Sequence, residues 1–284
     1  MKIPFKVDLA GKTVVVTGGG GVLCGQMAGV LAECGARVAV LDLRREAAER
    51  VVGGIKRDGG RAFAVACDVL DRESLLAANA AVEKEFGPVD ILINGVGGNH
   101  PKGSTGKEFL DAADLKKKRD AATFYEISRE GFEFVFDLNL LSTFLATQVF
   151  TEAMAAKRKG VVINISSMTA FTPLTKVPAY SAAKAAVSNF TRWLAVHMSK
   201  VGIRVNAIAP GFFLTEQNER LLTEADGSFT ARGKRVLDHT PLGRLGKPED
   251  LAGVLLWLVS DAGAGFVTGA VIPVDGGFSA YGGV

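Results

Sequence analysis

Short apolar runs alternate with longer segments of helical periodicity along most of this chain. Runs rich in valine and isoleucine between turn residues predict strands, and apolar residues recurring every three to four positions predict helices. We predict seven strands, at Thr13–Thr17, Arg37–Asp42, Arg61–Val69, Val89–Gly95, Val161–Ile165, Ile203–Gly211 and the run AVIPVDGGF from Ala270. This alternation predicts an α/β fold with a doubly wound parallel sheet and helices on both faces.

Two segments interrupt the alternation next to predicted strand ends. Residues 98–130 are polar and long for a connection, so we predict an inserted loop there, whereas residues 212–245 resemble a lid over a pocket. The insertion carries consecutive basic residues at 116–119, which are either a solvated helix face or a binding feature. Neither segment resembles an interdomain linker, and we expect residues 1–284 to form one domain.

Composition narrows the possible functions. Of the 284 residues 48% are hydrophobic and 22% charged, and the formal net charge is +3, so a nucleic-acid or membrane-surface partner has no support. Cys24, Cys34 and Cys67 show no metal-ligand or C-x-x-C spacing, which predicts no metal site and reduced thiols in a cytoplasmic protein. We expect no signal peptide, and no uncharged window reaches the length of a membrane span.

The first predicted strand runs into a glycine-rich turn, GGGGVLCG, which precedes a predicted helix. Glycines let the backbone approach a phosphate closely, and a helix N-terminus favours an anion. Gln26 and Met27 stand where a P-loop has its lysine and hydroxyl residue, which excludes that motif. A dinucleotide site is one interpretation of the turn, and a plain flexible connection is the other.

The acid that ends the second predicted strand favours the dinucleotide. Asp42 lies 24 residues beyond Gly18, where a carboxylate can accept hydrogen bonds from both ribose hydroxyls of an adenosine and would repel a 2′-phosphate. The position therefore predicts NAD. Arg44 and Arg45 follow and would suit the 2′-phosphate of NADP, which is the alternative.

Residues 161–184 carry the groups most suited to chemistry. A predicted strand ends at Ser166 and Ser167, and a predicted helix begins at Tyr180 and carries Lys184 on the same face. A hydroxyl, a phenol and an ammonium can then converge at the sheet edge where open α/β sheets bind ligands. This trio suits proton transfer to or from an alcohol, and the ammonium is expected to lower the phenol's pKa.

Two further polar positions lie near the same edge. Asn139 falls within an apolar helical pattern, so it is either a structural cap on a neighbouring strand or part of a polar relay. His100 and Lys102 follow the fourth predicted strand on the ligand side of the sheet. His100 is either a substrate ligand or a loop histidine bonded to backbone.

The order and spacing of several short motifs resemble the short-chain dehydrogenase/reductase family over essentially the whole chain. These motifs are TGGGG, Asp42, Asp68, ILING, Asn139, the SS…YSAAK stretch, APG and VDGG. The resemblance implies a Rossmann-type fold, an NAD(P)-dependent oxidoreductase and a homotetramer. The family's spacing of serine to tyrosine selects Ser167 over Ser166. This chain departs from the family's glycine motif at Val22 and Cys24, which replace two of its glycines. It also departs from the family's N-N-A-G motif at Gly95 and Val96.

The resemblance also implies roles for individual residues. The implied catalytic residues are Asn139, Ser167, Tyr180 and Lys184, with Asn139 supporting a water relay behind the lysine. The implied cofactor-binding residues are Gly18, Gly20, Gly21, Val22, Leu23, Asp42, Leu43, Cys67, Asp68, Val69, Asn94, Gly95, Val96, Tyr180, Lys184, Pro210, Gly211, Phe213 and Thr215.

Loop segments narrow the expected substrate. Four loop segments are similar to those of bacterial D-mannonate oxidoreductases (fructuronate reductases): GGNHPK, FTPLTK, GFFLTEQN and DGGFSAYGGV. Gluconate 5-dehydrogenases are the alternative assignment within the family. A sugar-acid carboxylate requires a cation or a cluster of donors. The candidate substrate residues are Asn99, His100, Lys102, Ser167, Gln217 and Asn218, with Thr215 beside them. A catalytically silent nucleotide-binding protein and a structural subunit are the alternatives from other classes.

Overall fold

A parallel seven-stranded sheet lies at the centre of the computed structural model, which describes residues 7–115, 122–215 and 219–283. The strands are β1 (Thr13–Thr17), β2 (Arg37–Asp42), β3 (Arg61–Ala66), β4 (Ile91–Asn94), β5 (Gly160–Ile165), β6 (Ile203–Pro210) and β7 (Val271–Val274). Their order across the sheet is β3-β2-β1-β4-β5-β6-β7, and every pairing is parallel. The predicted doubly wound α/β fold is confirmed.

Helices cover both faces of the sheet. They are α1 (Val22–Glu33), α2 (Arg45–Arg57), α3 (Arg72–Phe86), α4 (Arg129–Phe136), α5 (Ser142–Ala156), α6 (Pro178–Met198), α7 (Glu219–Leu222), α8 (Ala231–Asp238), α9 (Ala252–Val259) and α10 (Asp261–Ala264). One buried apolar cluster lies between the sheet and α1, α2 and α9, and a second lies between the sheet and α3, α5 and α6. The central strands are buried on both faces, as in parallel sheets generally, whereas the edge strands β3 and β7 are only partly buried.

Several predicted boundaries are wrong by a few residues. β3 ends at Ala66 rather than Val69, although the amide of Cys67 still donates to the carbonyl of Asp42 at 3.0 Å. The apolar pattern continued because Cys67 and Val69 are buried after the strand has ended. β4 is likewise confined to Ile91–Asn94 within the predicted run.

The stretch from Arg129 to Ala156 is one helical rod with an irregularity in its middle. Residues Asp137–Leu141 form a π-helical turn between α4 and α5. The rod is long and apolar enough to span a membrane by length and composition, although no 18-residue window in it is free of charged residues. Half of its apolar window is buried inside the protein, as in a core helix. Single π-turns within helices frequently occur at functional sites.

Candidate active site

The carboxyl ends of the strands bring most of the predicted site residues to one edge of the sheet. The residues at or just after strand ends are Gly18–Val22 after β1, Asp42 and Leu43 at β2, Cys67–Val69 after β3, Gly95–Val96 after β4, Ser167 after β5 and Pro210–Gly211 at β6. The order of β1 beside β4 is the reversal point of the doubly wound sheet. Crevices at such reversal points bind ligands in open α/β folds.

Ser167, Tyr180 and Lys184 converge at this edge. The hydroxyl of Ser167 hydrogen-bonds the phenol of Tyr180, and the Nζ atom of Lys184 lies 5.7 Å from the centroid of the tyrosine ring. Lys184 is buried and donates from Nζ to the carbonyl of Ile165 at 2.8 Å. β5 and the first two turns of α6 therefore hold the trio in place.

Burial controls the protonation of both titrating groups. Burial raises the pKa of Tyr180, and the hydrogen bond from Ser167 opposes that rise only in part. Burial also lowers the pKa of Lys184 to about 8. The predicted lowering of the tyrosine's pKa by the ammonium is therefore not seen for these side chains alone, because burial has the largest effect on that pKa. At neutral pH Tyr180 carries its proton and can act as an acid.

The two adjacent serines have different surroundings. Ser166 Oγ donates to the carbonyl of Lys184 at 3.1 Å and lies 2.7 Å from Ser188 Oγ, so it ties β5 to α6. Ser167 Oγ instead accepts from the amide of Thr169 and faces Tyr180. The geometry thus separates a structural serine from one beside the phenol, as the family's spacing implied.

Alanine substitutions should separate the two serines experimentally. Ser166→Ala leaves two buried partners without their hydrogen bond, so we expect the free energy of unfolding to fall by about 1–3 kcal/mol with kcat/KM largely retained. Ser167→Ala should lower kcat/KM about a hundredfold, and its free energy of unfolding should fall by about as much as that of Ser166→Ala because the amide of Thr169 and the phenol of Tyr180 lose a partner. Urea unfolding and steady-state kinetics on both variants check this, and a large activity loss in Ser166→Ala alone would reverse the assignment.

Asn139 lies in the π-helical turn and holds the loop that follows β4. Its Nδ2 donates to the carbonyls of Gly98 and Val135, each at 2.7 Å, and its Oδ1 accepts from the amide of Gly98 at 3.2 Å. A Cβ on Gly97 would lie 2.6 Å from Asn139 Oδ1 and 2.8 Å from Lys184 Nζ. The amide and the ammonium therefore flank Gly97, and a side chain there would displace one or both of them.

The glycine loop and Asp42 form a compact unit at the N-terminus of α1. Asp42 Oδ2 accepts from the amide of Gly20 at 3.1 Å, and its Oδ1 accepts from the amide of Arg44 at 3.0 Å. Gly18 has a φ of +63°, which glycine adopts without strain. The first turn of α1 has no acidic residue and no side-chain cap, so its amides suit an anion.

Cys24, which replaces a motif glycine, is buried, and its side chain lies against Gly95. Its sulfur occupies the space that a side chain on Gly95 would need, and it lies 3.8 Å from the carbonyl of Gly95. Burial raises the pKa of the Cys24 thiol to about 12. The two departures from the family pattern therefore compensate each other: glycine at 95 makes room for the thiol.

Some predicted cofactor residues contribute backbone or packing rather than an accessible side chain. Asn94 is buried, with Nδ2 donating to Thr147 Oγ1 and Asn164 Oδ1 at 2.9 Å each. Phe213 is also buried, and it packs against Gly246. Leu43 and Val22, in contrast, are exposed. The pattern of residue types at strand ends gave no means to separate these two groups.

The predicted substrate residues divide between the described and the undescribed parts of the chain. Gln217 and Asn218 lie outside the described residues, as do residues 116–119. His100 Nδ1 accepts from the amide of Lys102 at 3.1 Å, so the predicted bond to backbone is observed. Asn99 Nδ2 donates to Ser104 Oγ at 2.9 Å. Lys102 is exposed at its side chain and lies against Gly131 in the first turn of α4.

Contacts between the insertion and the lid-like segment enclose this end of the sheet. Arg235 of α8 pairs with Glu108 of the insertion at 3.0 Å. The ring of Phe278, near the C-terminus, packs on Phe212 with centroids 5.3 Å apart, and Thr172 Oγ1 donates to the carbonyl of Ser279. The lid-like segment thus contacts both the insertion and the C-terminal region.

Comparisons with known proteins agree with this arrangement. A family profile described as Enoyl-(Acyl carrier protein) reductase matches residues 23–279. An uncharacterised oxidoreductase, UxuB, of Bacillus subtilis (strain 168) is 51% identical over 282 residues, covering 99% of this chain and 100% of its own. The 5-keto-D-gluconate 5-reductase of Escherichia coli (strain K12) is 32% identical over 272 residues, covering 95% of this chain and 96% of its own.

A solved structure matches the whole molecule. It comes from Haemophilus influenzae, is provisionally assigned as a D-mannonate oxidoreductase, and contains bound NAD. It is 49% identical to this chain, covers 100% of both chains and superposes with a TM-score of 0.93. At that identity and coverage the two proteins share the fold throughout, including the strand ends that carry the trio.

Proposed function

Because this chain belongs to the short-chain dehydrogenase/reductase family, whose members act on alcohol groups, we propose that it interconverts a sugar-acid alcohol and its ketone with NAD. D-mannonate and D-fructuronate are the proposed pair. The observation that carries the proposal is the convergence of Ser167, Tyr180 and Lys184 beside the glycine loop.

The residues of the crevice fit a dinucleotide. The tight loop of Gly18–Gly21 and the uncapped first turn of α1 suit a pyrophosphate, and the carboxylate of Asp42 stands at the end of β2 for ribose hydroxyls. Asp42 supports NAD over NADP, and NAD is bound in the Haemophilus influenzae relative. Arg45 pairs with Glu49 at 2.8 Å, which further reduces its availability for a 2′-phosphate.

Each residue of the trio has a separate role in the proposed reaction. Bound NAD supplies the hydride acceptor, and its reduced form the hydride donor. Tyr180 Oη donates its proton to the ketone oxygen in reduction and accepts one in oxidation. Ser167 Oγ hydrogen-bonds the same oxygen and stabilises the negative charge that develops there. Lys184 positions the nicotinamide ribose, and Asn139 fixes the loop beside the lysine and supports a proton path.

A substrate panel tests the proposal. The purified protein is mixed with NADH or NADPH and with D-fructuronate, 5-keto-D-gluconate and neutral ketoses, and the nicotinamide absorbance is followed. We expect turnover of D-fructuronate with NADH and a lower kcat/KM with the other ketones. Clear turnover of 5-keto-D-gluconate with none of D-fructuronate would move the substrate to the gluconate enzymes. No turnover of any ketone would contradict the activity itself.

We also propose a homotetramer, and an exposed aromatic row supports it. Phe144, Phe190, Trp193 and His197 stack in sequence along α5 and α6, with Trp193 57% exposed and Val196 76% exposed. Apolar surface of this kind marks association faces.

Cys24, Cys34 and Cys67 are free thiols, which accords with the proposed cytoplasmic location.

A charge placed in the row should break the assembly. Trp193→Asp introduces a carboxylate that would be desolvated at the interface, so light scattering after size exclusion should show a dimer or monomer. Arg192→Gln, one position along the same helix, serves as the control because it changes the net charge by the same amount without adding a carboxylate. A variant at Trp193 that keeps the mass of the wild type would place the subunit contact elsewhere.

A further inference from the structure

Lys176, in the connection between Ser167 and Tyr180, has a backbone conformation that its own secondary structure does not require. Its φ is +71°, and among the described residues Arg158 is the other non-glycine residue with a positive φ. Arg158 follows the end of α5, where left-handed residues commonly terminate helices. Lys176 precedes α6 instead, so helix termination does not account for it.

The left-handed conformation positions Lys176 against the insertion. Its carbonyl accepts from the amide of Thr105 at 2.9 Å, and the adjoining Gly103 packs against Ala179, the neighbour of Tyr180. A glycine would adopt this conformation and accept the same hydrogen bond without steric cost. The backbone contact therefore explains the conformation but not why a lysine occupies the position.

The side chain of Lys176 carries a second cost. It is half-buried, and among the described residues no carboxylate lies within ion-pair distance of its ammonium. Three cations of the surrounding segments do have ion-pair partners: Lys107 with Asp114, Arg235 with Glu108 and Arg244 with Asp250. An ammonium that is partly withdrawn from water is stabilised by a nearby anion. Strain and partial burial coincide at one residue, four positions before Tyr180.

We propose that the ammonium of Lys176 holds the carboxylate of the substrate while Tyr180 acts on its ketone or alcohol. This inference rests on the proposed sugar-acid activity and names the residue that selects acids over neutral sugars. A hexonate carries its carboxylate only a few bonds from the reacting carbon, so the anchoring cation must lie near the phenol. Strained residues of this kind cluster at ligand-binding positions. Lys102, the cation expected from the sequence, has an exposed side chain and is not among the residues with a positive φ.

The test uses binding to the complex of the intact enzyme with NADH. Isothermal titration calorimetry measures the Kd of D-mannonate and of its neutral amide for wild type, Lys176→Gly, Lys176→Gln and Lys176→Arg. We expect wild type to prefer the acid about tenfold to a hundredfold. Lys176→Gly and Lys176→Gln should lose that preference while binding the amide as before, and Lys176→Arg should retain most of it.

Arg158→Gly is the matched control because it relieves the same backbone strain far from the trio. Both glycine variants should unfold at or above the wild-type Tm, but only Lys176→Gly should weaken binding of the acid. Lys176→Gln that binds D-mannonate as tightly as wild type would overturn the inference about Lys176. Loss of the preference for the acid in Lys102→Gln, with the preference kept in Lys176→Gln, would do the same. Neither result would contradict the proposed sugar-acid activity. Wild-type protein that binds neither compound, yet oxidises a neutral alcohol, overturns the sugar-acid proposal and the inference together.

Discussion

Tyr180→Phe should lower kcat/KM about a thousandfold or more in both directions while the protein still binds NADH. The substitution removes the hydroxyl that Ser167 hydrogen-bonds and leaves the aromatic ring beside Lys184. Without the phenol there is no proton donor at the ketone oxygen, although Ser167 can still hydrogen-bond it. Steady-state kinetics with D-fructuronate and quenching of protein fluorescence by NADH measure the two quantities separately.

The pH dependence should identify the same group. Since burial raises the pKa of Tyr180, the phenol is protonated at neutral pH, which favours reduction there. Oxidation needs the deprotonated form, so its kcat/KM should rise with pH until the phenol has lost its proton. Tyr125→Phe, in the exposed insertion, should retain both the rate and the profile. A wild-type rate in Tyr180→Phe would contradict the proton-transfer assignment.

Asp42→Ala should reverse or abolish the cofactor preference, lowering kcat/KM for NADH about a hundredfold and raising it for NADPH. Two effects add: the ribose loses a charged acceptor, and a 2′-phosphate no longer meets a carboxylate. The amides of Gly20 and Arg44 also lose their shared acceptor, which loosens the phosphate loop. Arg44, which follows the strand end by two residues, would then be free to bind the 2′-phosphate.

Kinetics with both cofactors at saturating ketone provide the measurement for Asp42. Glu49→Gln is a matched control, since it removes a nearby negative charge on α2 and releases Arg45 without touching the Asp42 contacts. A preference that changes equally in the two variants would show that general charge, rather than the ribose contact, selects the cofactor.

Local sequence was sufficient where one physical rule dominated. β2 has the predicted bounds because a buried β-branched run ends at a polar residue whose carboxylate binds the next loop. The trio was predictable because a strand end, a serine-tyrosine spacing and a helical repeat of four each constrain one group. The insertion at 98–130 and the lid-like segment at 212–245 stay predictions that rest on the break in the strand-helix alternation.

Features that depend on packing were not predictable from local sequence. The π-turn at Asn139 arises where the helix must present an amide to Gly98, and the raised pKa of Tyr180 comes from burial that no spacing reveals. The pairing of Cys24 with Gly95 joins residues on α1 and after β4. The left-handed backbone of Lys176 is set by a hydrogen bond from the distant Thr105.

Direct observation of hydride transfer tests the central claim most directly. The enzyme is incubated with D-fructuronate and NADH that carries deuterium at both transferable positions, and the sugar-acid product is analysed by mass spectrometry. The account predicts D-mannonate that carries one deuterium on the former ketone carbon, at a rate abolished in Tyr180→Phe. D-Fructuronate recovered unlabelled and unreduced, while the same preparation transfers deuterium to a neutral ketone, would contradict it.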